Sequence, residues 1–259
     1  MNTPVIFLVF ANPQDDHLPA LTQERKGIED ALAHAVKDEL IHLESESDAN
    51  TKDIFKIFDR YRGQIKILHF GGHANNSALA LQGQKAQARG LANLVGAENE
   101  NGGVELVFLN ACATAGQVKA LLLAGTKNVI ATTAKVKDAQ ACTFAQQFYE
   151  SLAAGDTIKI AYKKAIALLQ TNSENLPSYL RYLEEEQGLN HLNLLGEEDE
   201  LPWGLYTLNN GGDFSLDLDD QSQHENKVYV DNRKANITQQ MNGVDINSQG
   251  DVNINIGRG

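Results

Sequence analysis

Cysteine is scarce in this chain: two residues, Cys112 and Cys142, among 259. Two thiols make no disulfide framework, and a lone bridge from a strand end to a helix would be unusual, so the composition points to a reducing cytosol. Clustered Lys and Arg are equally absent. With 22 basic against 34 acidic residues the formal net charge is -12, which argues against a surface that tracks nucleic acid. No apolar run approaches the roughly 18 residues of a membrane span. The opening MNTPVIFLVFANP has no basic flank before its short apolar stretch, so it reads as a core strand and not as a signal peptide.

What is present is a large apolar fraction, 42%, arranged in alternating patterns. Val5 to Phe10 is a continuous apolar run of the kind a doubly covered strand needs, and Leu21, Ile28, Leu32 and Ala35 then repeat at helical spacing. The same reading predicts a strand at Leu40 to Leu43, a short helix at Ile54 to Tyr61 and a strand from Ile65 ending at His73. Next come a short strand at Ala78 to Leu81, a helix from Ala86 to Val95 and a strand from Val104 to Leu109 ending at Cys112. A helix at Val118 to Leu123 stops at Gly125, a strand runs from Asn128 to Thr132, and helices follow from Asp138 to Leu152 and from Ile158 to Leu169. Such alternation predicts an α/β fold with a mainly parallel sheet covered on both faces.

The acidic stretch Thr171 to Leu201 reads as a solvated face, and PWGLYTL, from Pro202 to Leu208, as the last strand, closing the sheet. The domain boundary is placed near residue 215, with domains at 1–215 and 216–259. In the second, Val244, Ile246, Val252, Ile254 and Ile256 all occupy even positions between polar odd ones, the period of a strand with one apolar face. An isolated hairpin of this size is marginal in water, so such a segment gains stability mainly by pairing with another edge or with copies of itself. The alternative is a disordered tail.

Two segments carry the chemistry: HFGGHA (His69 to Ala74) and FLNACATAG (Phe108 to Gly116). Loops at strand ends are where α/β sheets build sites. An imidazole that takes the proton of a cysteine thiol creates a strong nucleophile, so His73 and Cys112 form a candidate base and nucleophile. The backbone N–H groups of Ala74 and Cys112 are candidate oxyanion donors. Gly71 and Gly72 would let the chain turn sharply and a substrate approach. A strand-end cysteine is also a common buried small hydrophobe. A zinc site from His69, His73 and Cys112 lacks a clear fourth ligand, so no metal or other cofactor is expected. His69, inside its strand, reads as a core histidine, and Cys142, on a helix beside Phe144 and Phe148, as packing.

The ordered segments VIFLVFANP, ILHFGGHA, LVFLNACATAG, the stretch from Asn128 to Ala165 and PWGLYTL together resemble the CHAT family of caspase-like cysteine peptidases, over roughly 200 residues from the first strand to Trp203. In the caspase signature the histidine lies about 50 residues before an Ala-Cys pair; here Cys112 stands 39 residues after His73. Ala74 and Ala113 stand where many relatives have a glycine and an acidic residue. The resemblance implies a three-layer α/β/α sandwich and a His73/Cys112 dyad that hydrolyses peptide bonds in a specific protein, in bacterial defence or programmed cell death. It also implies that Asp138 receives a basic P1 side chain, for which the residue-level alternative is a helix N-cap.

The tail resembles the Asn/Gly-rich amyloid-type signalling motifs of bacterial effectors, which implies recruitment of a partner or of further copies through residues 226–259. Neither nucleic acid nor a membrane is expected as a partner. The competing readings are a catalytically silent scaffold that recruits through its tail, and a small-molecule cysteine hydrolase.

Overall fold

The computed structural model describes residues 3–12, 18–171, 182–185, 202–208, 211–216, 218, 244–246 and 252–254. Seven strands form the main sheet in the order β2-β1-β3-β6-β7-β9-β8. They are β1 (Val5–Ala11), β2 (His42–Glu46), β3 (Ile65–Gly72), β6 (Leu106–Asn110), β7 (Asn128–Thr132), β8 (Tyr182–Glu185) and β9 (Trp203–Leu208), with the hairpin β4 (Ala78–Leu81) and β5 (Gln84–Gln87) between β3 and β6. The helices are α1 (Ala20–Lys37), α2 (Thr51–Arg60), α3 (Ala88–Asn99), α4 (Val118–Leu123), α5 (Asp138–Ala153) and α6 (Ile158–Thr171). Strands β2, β1, β3, β6 and β7 run parallel, and β9 runs antiparallel to β7.

Alternation along each central strand sends successive side chains into two cores. On β1, Ile6, Leu8 and Phe10 join Ile28 of α1, Phe144 and Phe148 of α5 and Tyr162 of α6 on one face. Val5, Phe7 and Val9 join Ile57 of α2, Val95 of α3 and Leu121 of α4 on the other. That double burial is why β1 is apolar throughout. The sheet is thus a layer between two helical layers, the sandwich the alternation predicts. Phe214, Leu216 and Leu218 also pack on the first core.

Chain order places the strand crossovers. From β1 the chain passes through α1 to β2 on one side, then through α2 back across β1 to β3 on the other. The reversal makes the carboxyl ends of β1 and β3 a topological switch point, where a crevice opens in such sheets.

Several elements differ from expectation. β2 begins at His42 and not at Leu40, because Leu40 and Ile41 are held by the end of α1: both their N–H groups donate to Ala35 O. α3 begins at Ala88, since Gln84–Gln87 pairs with β4 as a hairpin. PWGLYTL does not close the sheet. It lies between β7 and β8, so the edge is formed by Tyr182–Glu185, inside the acidic stretch expected to be only a solvated face. An edge strand tolerates such charge because one side of its ladder is open. The rest of that stretch lies outside the described residues.

By its contacts the chain divides into Met1–Asp220 and Gln221–Gly259. In the second unit the period-two stretch holds two strands, β10 (Val244–Ile246) and β11 (Val252–Ile254), paired antiparallel with Val244 opposite Ile254 and Ile246 opposite Val252. The register therefore sets aliphatic against aliphatic, as the even-numbered spacing allows.

Candidate active site

β3 ends in Gly71 and Gly72, and both are required by the sheet. A Cβ at Gly71 would stand 2.6 Å from Phe10 Cε1, and one at Gly72 would stand 2.7 Å from Ala11 O. The glycines let β1 and β3 approach closely at the switch point. They make room for the Phe10 ring and the β1 backbone, a need that the substrate-access reading missed.

The chain then turns out of the sheet. His73, half-buried, accepts at its carbonyl from Ala80 N–H at 2.8 Å, and Asn75 N–H donates to Ala78 O at 3.0 Å. These two bonds flank the bridge of Ala74 with Leu79, so Ala74 N–H is directed away from β4.

The cysteine loop follows β6, the neighbour of β3. Cys112 is half-buried and its thiol is free. Ala113 has φ +50°, a left-handed conformation uncommon for a residue with a Cβ, held by donation of its N–H to Ala134 O at 3.1 Å. Two buried hydroxyls brace the turn: Thr132 N–H donates to Thr114 Oγ1 at 2.9 Å, and Thr132 Oγ1 donates to Ala111 O. Among the described residues, neither Cys112 N–H nor Ala74 N–H donates to a protein acceptor.

His73 and Cys112 line one cavity of about 590 Å³ with Asn110, Ala113, Lys135 and Asp138. It opens at the carboxyl ends of β3 and β6, beside the start of α1, which contributes Leu21 and Glu24. Asp138 is the first residue of α5. Lys137 holds the N-cap position, and the cap makes no side-chain hydrogen bond.

Below the cavity lies a polar network that the sequence reading did not single out. Glu24, 2% exposed, accepts from His69 Nε2 at 2.9 Å and from Asn110 Nδ2 at 2.7 Å, both through Oε1. Asn110 Nδ2 also donates to Ala141 O at 3.1 Å, and its Oδ1 accepts from Trp203 Nε1 at 2.9 Å. One carboxylate and one amide thus tie β3, β6, β9, α1 and α5 together. The only forewarning was Glu24 standing among the apolar residues of α1's buried stripe, where a carboxylate needs donors. His69 is fully buried and engaged with Glu24, as a core histidine is expected to be, although its Nδ1 has no partner among the described residues.

Cys142 is buried and donates to Ala20 O at 3.4 Å. Burial, then the nearby charges of Glu24 and Asp138, push its thiol up to about 11. It is a packing residue in a proton-retaining environment. Among the described residues no group of three or more His, Cys, Asp or Glu is arranged to hold a metal ion, and no helix is long and apolar enough to cross a membrane.

Chemically, the arrangement sets a thiol and an imidazole at the ends of adjacent strands around one cavity. Compared with known proteins, residues 2–203 match the family model described as the CHAT domain. No curated protein matches the chain.

Proposed function

Because the chain belongs to the CHAT-domain family, a family of caspase-like peptidases, we propose that it is a cysteine endopeptidase using a dyad of His73 and Cys112 on a protein substrate. The observation that carries this reading is one cavity lined by both residues at the carboxyl ends of the adjacent strands β3 and β6. His73 takes the Cys112 proton, and the thiolate attacks the scissile carbonyl. Negative charge develops on the carbonyl oxygen and is met by the N–H groups of Cys112 and Ala74. The imidazolium returns its proton to the leaving amine, and the imidazole then activates the water that releases the acyl-enzyme.

In this reading Asp138 recognises a basic P1 side chain through a forked, charge-assisted pair. Its support is the placement of Asp138 on the cavity wall, with Lys137 and not Asp138 at the N-cap position. The enzyme acts in the cytosol, in bacterial defence or programmed cell death. Residues 1–215 are its catalytic domain, and residues 226–259 recruit a partner or further copies of the chain. The hairpin of β10 and β11 supports a strand-mediated contact, because short two-stranded ribbons gain stability by adding strands.

A covalent peptidyl probe carrying Arg at P1 tests the assignment on the native chain, on Cys112→Ala and on His73→Ala. Labelling should be lost in Cys112→Ala and strongly slowed in His73→Ala. If no peptide probe, whatever its P1 residue, labels the native chain through Cys112, the peptidase assignment is wrong and the scaffold reading takes its place.

A further inference from the structure

The dyad is carried by two separate loops, and the ladder between β3 and β6 ends at the pair Gly71 and Asn110, before either loop begins. Beyond that pair, two hydrogen bonds join the loops directly. Asn76, three residues after His73, accepts from Gly116 N–H at 3.0 Å through Oδ1. Gln117 donates from Nε2 to Asn75 O at 2.7 Å. The histidine loop is itself held in shape, since Asn75 Oδ1 accepts from the N–H groups of Ser77 and Ala78, each at 2.9 Å. Close contact explains Gly116: a Cβ there would stand 2.7 Å from Asn76 Cβ and 2.8 Å from Asn76 O.

Gln117 is unusual energetically. It is 1% exposed, and its Oε1 is buried with no partner among the described residues. Half of a buried amide left unpaired is a cost that an apolar side chain of similar size would not carry. Its one strong bond runs to the histidine loop. A residue kept at a cost to stability, with its donor aimed at the second loop of the site, is explained by what that bond positions.

We propose that Asn76 and Gln117 are positioning residues that latch the His73 loop onto the Cys112 loop and so set the geometry of the dyad. The inference rests on the dyad reading above. Neither side chain touches substrate; each acts by fixing the backbone that carries His73 against the backbone that carries Cys112. Small displacements suffice, since a shift of about 1 Å in reacting groups can cost about 100-fold in rate.

The test follows alkylation of Cys112 by iodoacetamide in the full-length chain against pH, read by peptide mass mapping so that Cys142 is scored separately. The difference between the native chain and His73→Ala defines the acceleration that His73 supplies. Asn76→Ala and Gln117→Leu should each lose about tenfold or more of that acceleration, and their pH profiles should move toward that of His73→Ala. Asn76→Asp, which keeps the acceptor, should retain most of the acceleration, with its pH profile moved upward by the added negative charge. Gln117→Leu should keep or raise the unfolding midpoint while losing the acceleration, a separation that a merely structural role would not produce.

Native pH profiles in Asn76→Ala and Gln117→Leu would overturn the latch, as would equal slowing of these variants with and without His73. If His73→Ala leaves the profile of the native chain unchanged, the dyad reading itself fails, and the latch with it.

Discussion

The two cysteines show how far surroundings divide identical side chains. Cys112 stands on a strained turn at the cavity, whereas Cys142 lies on the buried face of α5 with its proton held against two carboxylates. The Cys142 thiol is raised in the folded chain from an ordinary 9.0 to about 11. Its contribution to stability is therefore complete below pH 9 and is lost as pH rises through 9 toward 11. Thermal unfolding followed between those values should fall less steeply in Cys142→Ala than in the native chain. Glu24 is the buried acceptor shared by His69 and Asn110. Glu24→Ala strands His69 Nε2 and removes one of the two acceptors of Asn110 Nδ2, and should cost about 3 kcal/mol in urea unfolding, whereas Glu24→Gln, which keeps an acceptor, should cost less.

At the scale of elements, the strands are set by burial and their ends by close backbone approach. Gly71→Ala pushes a Cβ into the Phe10 ring and should destabilise the fold by about 1–3 kcal/mol, measured by chemical unfolding. Gly125 closes α4 with φ +92°; Gly125 N–H donates to Leu122 O and Thr126 N–H to Leu121 O, the paired bonds of a left-handed C-terminal cap. Gly125→Ala should cost about 1 kcal/mol in the same measurement. α2 is closed at its other end by a capping box between Asn50 and Asp53. These local devices are legible because each depends on a few neighbouring residues. β8 was not legible, since its sequence YLEE has no apolar alternation and it becomes a strand only by pairing with β9.

For the whole molecule, the switch point is the organising feature. Near it the ends of β3 and β6, the start of α1 and the start of α5 meet around one cavity, though these segments are far apart in the chain. The single tryptophan, Trp203, reports on this unit: it stacks on Phe144 with ring centroids 4.8 Å apart and donates to Asn110. Its burial lets tryptophan fluorescence follow unfolding of the first unit alone. Deleting residues 221–259 should leave that unfolding midpoint unchanged while abolishing recruitment. Persistence of partner binding or self-association in the truncated chain would remove the role proposed for the tail.

By itself the sequence determined the alternation of strands and helices, the two segments that carry His73 and Cys112, and the period-two pattern of the tail. All of these are written in local hydrophobic spacing and turn residues, which act over a few positions. Only the tertiary structure decided the strand order, the place of β9 inside the sheet, the function of Gly71 and Gly72 in packing, and the gathering of Glu24, His69, Asn110 and Trp203. The same holds for the joining of Asn75 and Asn76 to Gly116 and Gln117. Those contacts link residues tens of positions apart, and no periodicity in a chain records which distant donor will meet which acceptor once the two cores have formed.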